Sequence, residues 1–280
     1  AANQLTGTGT QGALTGGQQV NFATGIADDA IVGQYAREIA ADEAAHVAFL
    51  RTALGSAAVA QPAINISGDA NGPFTAAALA AGVITSGTFN PYSSPTAFLL
   101  GAYIFEDVGV TAYKGASPLI SNKTFLQAAA GILAVEAYHA AIVRTTLYAK
   151  GIATPSARLV EASEAISNAR DSLDGPSDLD QGLSPLASNP NASNIAPLDN
   201  NAIAFSRSAG QVLNIVYLNR VQASGGGFFP NGVNGTIRAS AASLNARLSR
   251  RAPPRSIQPS SPRTVPRSLS QSRGALQKSI

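Results

Sequence analysis

The chain has 280 residues, 45% of them hydrophobic, enough to build one sizeable core, and a charged share of only 12%, about half the usual globular value. Its net charge of +3 is misleading: residues 247–280 hold eight basic residues and no acid, leaving eleven basic against sixteen acidic side chains in the body, a net −5. This excludes a basic body suited to nucleic acid, and the absence of Cys excludes disulfides and thiolate metal sites. There is also no Met, so the chain is expected to be processed or a fragment.

Residues 1–25, rich in Gly, Thr, Gln and Asn, read as loop. The first helix is expected from Ile26 to Leu54, where Ile31, Tyr35, Ile39, Val47 and Leu50 recur at helical spacing and Gly55 stands as a stop. Residues 56–95 form a long connection with a short helix at 74–81. Only Asp69 carries a charge between Arg51 and Glu106, but Pro73, Pro91 and Pro95 interrupt the stretch, so no membrane span is expected.

A second long helix is predicted from Pro95 to Lys114. A third starts after Ser121 or Asn122, either of which can cap it, and ends near Lys150 with Gly151 as the residue beyond its end. A fourth, Pro155–Leu173, is more polar and expected to be peripheral. Residues 174–200 read as loop, and a fifth, apolar helix is expected over Asn201–Gln222, closed by a turn at Gly225–Gly227. Residues 228–240 read as irregular. The fold class is therefore all-α with long loops. Residues 1–240 form one domain, and 241–280 a basic, Ser/Pro/Arg-rich tail expected to be disordered.

The chain has two histidines, and each follows a glutamate by three residues: Glu43-Ala44-Ala45-His46 and Glu136-Ala137-Tyr138-His139. With six glutamates in 280 residues, that pairing would be a rare coincidence. On a helix, residues i and i+3 project from one face about a turn apart, so a carboxylate and an imidazole so placed can grip one metal or help bridge two. Taken singly, each histidine would read as a hydrogen-bonded core residue; with their glutamates, both read as metal ligands. Glu106 sits in an otherwise apolar helix between the two motifs, where a carboxylate is costly to bury unless paired or metal-bound. Helical bundles hold two metals with a Glu-x-x-His from each of two helices and a lone Glu from each of two others. Oxygen donors with imidazole suit iron or manganese, with zinc an alternative, two ions in all. The expected metal ligands are thus Glu43, His46, Glu106, Glu136 and His139. Asp42 and Asp107 are expected to be solvated or at most supporting partners, and Tyr103 and Tyr113 to pack in the core.

The order Glu-x-x-His, Glu, Glu-x-x-His resembles the second, third and fourth helices of the ferritin-like superfamily. The wording from Gln34-Tyr35-Ala36-Arg37-Glu38 through Asp42-Glu43-Ala44-Ala45-His46 to Phe105-Glu106-Asp107-Val108-Gly109 is similar to its desiccation-related branch. The resemblance spans about residues 1–240. It implies a ferritin-like four-helix bundle with additional C-terminal helices, whose first helix, bearing the other lone glutamate, would lie before Ala1. Glu38 does not replace that glutamate, because five residues along a helix turn it about 140° from Glu43. The resemblance also favours export, periplasmic or extracellular.

Three functions are compatible with this pattern. The first is a di-iron or di-manganese protein handling oxygen or peroxide in stress protection. The second is a non-enzymatic structural or desiccation-protective protein with a degenerate or unused site. The third is iron storage, for which no cage-forming signature is present. The partners expected are metal ions and a small oxidant, with no nucleic acid; a homo-oligomer is compatible with the sequence.

Overall fold

The structure is a computed structural model, and it describes residues 5–22 and 27–242. Of the expected tail, residues 243–280 lie outside the described residues. Among the described residues six helices carry the fold: α1 (Ala27–Leu54), α2 (Pro73–Ala81), α3 (Pro95–Ala116), α4 (Lys123–Ala153), α5 (Leu159–Asp174) and α6 (Ala209–Val216). Two short strands, β1 (Leu14–Thr15) and β2 (Ile64–Asn65), pair in parallel. The all-α expectation holds.

Local chemistry sets most helix ends. Ser94 caps α3 by accepting from the Ala97 amide, with Pro95 in the first turn, where its missing N–H is harmless. Asn122 caps α4, its side chain accepting from the Thr124 and Phe125 amides. Helix α2 stops at Gly82, whose φ of 75° suits glycine. Gly151 does not end α4 as expected. The helix runs two residues further, to Ala153, and stops before Pro155.

The long pair α3 and α4 forms the spine. Helices α2, α5 and α6 cover one flank, where Phe74, Leu99, Leu100, Ile104, Leu147, Leu159 and Ile166 make a continuous core. Each such side chain contributes about 1.5–3 kcal/mol when fully withdrawn from water. Helix α1 lies on the other flank against α3 and α4. It is lightly covered: of its described residues only Val32 and Gly33 are buried, while Ile31, Val47, Phe49 and Leu54 are exposed. Helix α4 is long and apolar enough to cross a bilayer. It instead packs along α3 and buries Glu136, His139 and Arg144.

Segments read as plain loop do more than connect. Residues 8–15 run beside 58–66 as extended chain, with Thr8 and Ala58, Thr8 and Ala60, and Thr15 and Ile66 joined by 2.9 Å backbone hydrogen bonds. Phe228 sends its ring, 2% exposed, between Phe74 and Phe105 at centroid distances of 5.0 and 4.8 Å. The expected turn at Gly225–Gly227 is present, with Gly226 and Phe229 in a backbone bridge.

Two expectations fail in the C-terminal half. The expected fifth helix is only eight residues long, α6, and the chain before it is loop. There Arg207 leaves the helical path to reach buried acids, and its carbonyl passes so close to Gly115 of α3 that a Cβ at Gly115 would stand 2.0 Å from it. Helix α5 is not peripheral. It buries Ser163, Ser167, Arg170, Asp171 and Asp174.

Those buried charges form an alternating ladder of three arginines and three aspartates. Arg144 Nη1 donates to Asp107 Oδ2 at 2.8 Å, and Arg170 Nη2 donates to the same oxygen at 3.0 Å and to Asp180 Oδ1 at 2.6 Å. Arg207 donates to Asp180 Oδ2 at 2.9 Å and to Asp174 Oδ2 at 2.6 Å. All three arginines are 2% exposed or less. Arg144 also donates to the carbonyls of Gly182, Asn194 and Ile195, so it fastens the long segment after α5 onto the spine. Paired charges repay much of their desolvation; a lone one here would not.

Candidate metal centre

On the opposite flank, α1, α3 and α4 bring all five predicted side chains into one cluster. The i, i+3 spacing places Glu43 and His46 on one face of α1, with Glu43 Oε1 3.6 Å from His46 Nδ1. The same oxygen lies 3.2 Å from His139 Nδ1 on α4. Glu106 Oε2 on α3 stands 3.9 Å from His139 Nδ1, and Glu136 Oε1 on α4 stands 3.9 Å from His46 Nδ1. The two imidazole centroids are 6.3 Å apart. Donor atoms of Glu43, His46 and Glu136 all lie within 4.8 Å of one another, as a single metal ion requires.

The electrostatics are those of an anion-rich pocket. Burial, then the negative charges of Glu136, Glu43 and Asp107, push the Glu106 carboxyl up to about 8. Burial and Glu43 push Glu136 up to about 7. Tyr113, one helical turn from Gly109 on α3, is raised to about 12 by burial and by Glu136 and Glu43. A cation between these groups would reverse each effect.

The donors fit such a cation. His46 Nδ1 is buried with no hydrogen-bond partner, although it faces two carboxylates. An orphaned imidazole nitrogen turned toward carboxylates is what a ligand looks like before its ion arrives. Among the described residues no further long helix brings a carboxylate to the cluster, so the sixth donor implied by the family resemblance is not seen.

The two aspartates separate. Asp42 Oδ2 lies 3.1 Å from His139 Nε2, the ring nitrogen turned away from Glu106. A carboxylate there fixes the tautomer and orientation of a ligand imidazole. Asp107 is neither solvated nor part of the cluster; Arg144 and Arg170 hold it in the ladder. The signal for Arg144 was present in the sequence: like Glu106, it is a single charge in an apolar helical run. Tyr103 is core, as expected, with Arg170 stacked 4.8 Å over its ring.

The sequence pattern of the family described as "Ferritin-like domain" matches residues 10–149, a span that takes in all five clustered side chains. The chain belongs to the ferritin-like domain family. It is 28% identical over 207 residues to a protein named "Ferritin-like catalase Nec2" from Nesocodon mauritianus, covering 71% of this chain and 65% of that one. It is 30% identical over 154 residues to the "Desiccation-related protein PCC13-62" of Craterostigma plantagineum, covering 52% of this chain and 49% of the other. The chain thus spans about half to two thirds of the length of these relatives. No solved structure matches it significantly.

Proposed function

We propose that this ferritin-like protein holds two ions of iron or manganese on Glu43, His46, Glu106, Glu136 and His139, and acts there on peroxide or dioxygen. The observation that carries this is the convergence of three carboxylates and two imidazoles around an unpartnered His46 Nδ1, with only negative charges acting on Glu106. Similarity to a relative named as a catalase favours peroxide as the oxidant. Bound here, iron or manganese would supply Lewis-acid and one-electron chemistry.

The protein's own groups prepare that chemistry. Glu43 Oε1 lies within 3.6 Å of both imidazole donors, so it would help hold the metal alongside either histidine. Asp42 holds the far nitrogen of His139 and leaves Nδ1 for coordination. Glu106 and Glu136 keep protons near neutrality while no cation is present and would release them to solvent when one binds. The Glu43 side chain, 43% exposed, leaves the centre open to a small oxidant.

The test is metal content of the purified chain by mass spectrometry, beside a Glu136→Ala, His139→Ala double variant. About two iron or manganese ions per chain, lost in the variant and accompanied by peroxide consumption, is the expected result. A second reading, a structural or desiccation-protective bundle with an unused site, draws on the light cover of α1 and on the relative named as desiccation-related. Two bound metals with no oxidant turnover would favour it, and a metal-free wild type would end the di-metal reading.

A further inference from the structure

We propose that Gly109 is a positioning residue of this centre: its missing side chain is the berth of the Glu136 carboxylate. The inference rests on the di-metal reading. Glycine inside a helix is unfavourable relative to alanine, yet Gly109 sits deep within α3, one turn beyond Glu106. A Cβ at Gly109 would stand 2.1 Å from Glu136 Oε2, 2.9 Å from its Cδ and 3.7 Å from its Cγ. The place of the absent methyl is therefore taken by the carboxylate end, not by the stem.

The other two glycines placed closely within α3 differ. A Cβ at Gly101 would meet Pro91, and one at Gly115 would meet the Arg207 backbone, so those two serve packing. At Gly109 the obstructing atoms are the far end of a flexible side chain. A methyl there would leave the helix intact and displace the carboxylate by about an ångström or more, beyond the roughly 0.5 Å that a metal ligand tolerates. Glu136 is 7% exposed, and its other oxygen, Oε1, faces His46 Nδ1 at 3.9 Å, so any displacement moves it relative to His46.

The experiment titrates manganese(II) into the full-length wild type, Gly109→Ala and Gly131→Ala, with electron paramagnetic resonance to count free ion and circular dichroism to follow melting. Gly131 on α4 has open space around its Cα, so Gly131→Ala carries the same gain in helix propensity without touching the centre. The expected result is a tenfold or greater loss of manganese affinity in Gly109→Ala, with helix content kept and a melting temperature within a few degrees of wild type, while Gly131→Ala binds normally. Unchanged affinity in Gly109→Ala would overturn this inference alone. A Gly109→Ala chain melting far below the wild type would mark Gly109 as a packing residue and overturn it too. No uptake by the wild type would overturn the di-metal reading itself, and this inference with it.

Discussion

The two flanks of the α3–α4 spine each bury a group of charges, and they balance them differently. On the α5 side, Arg144, Arg170 and Arg207 alternate with Asp107, Asp180 and Asp174, so each of these six charges meets its opposite within the chain. On the α1 side, Glu43, Glu106 and Glu136 gather around two histidines, and the charges acting on Glu106 are all negative. The ladder pairs its charges within the protein, whereas the cluster, on the di-metal reading, would be completed by cations from outside. Adjacent residues of α3 serve the two sides: Glu106 faces the cluster and Asp107 the ladder.

The largest expected effect breaks the closed side. Arg144→Ala leaves Asp107 short of a partner and frees the carbonyls of Gly182, Asn194 and Ile195, and should cost about 3–5 kcal/mol in urea unfolding, with or without added metal. An equal loss that manganese(II) repaired would contradict the separation of the two flanks.

The open side should answer to pH. Folding raises the Glu106 and Glu136 carboxyls above their ordinary value of 4.5, to about 8 and about 7. Their contribution to stability is thus full below about pH 4.5 and is lost as pH climbs through 7 and 8. The metal-free protein should lose stability steadily between pH 5 and pH 8.5 as these two groups ionise, Glu106 contributing the larger share. Saturating manganese(II) should reverse the slope, because deprotonated carboxylates are the binding form. Parallel melting curves with and without metal would show that the cluster does not take a cation.

The smallest effect sharpens the boundary of the site. Asp42→Asn keeps the shape beside His139 but removes its negative charge. Manganese(II) affinity should fall about tenfold to hundredfold, with little change in metal-free stability, as chelator competition would report. Unaltered affinity would place Asp42 outside the centre.

Both Glu-x-x-His pairs, the lone Glu106, α2, and the three long helices to within a few residues of their ends could be read from the sequence. These features are local: apolar spacing, a cap such as Asn122, and two donors one turn apart on a helix. The ladder could not be read this way. Its members are far apart in the chain, with Asp107 and Arg144 separated by 37 residues and Asp107 and Arg170 by 63, and Asp180 and Arg207 lie in loops without periodicity. The same long-range contacts corrected two local expectations. Helix α5 reads as polar because five of its polar and charged residues face inward, Arg170 and Asp174 into the ladder, and the expected fifth helix is cut short because Arg207 must leave a helical path to reach Asp174.

The sequence by itself determined which five side chains meet in the cluster, because helical geometry is set by residues three and four apart. Only the tertiary structure decided that Asp42 belongs beside His139, that Asp107 does not belong to the centre, and that Gly109 is where Glu136 rests. Each of those depends on where one helix meets another, and that is set by the packing of the whole core.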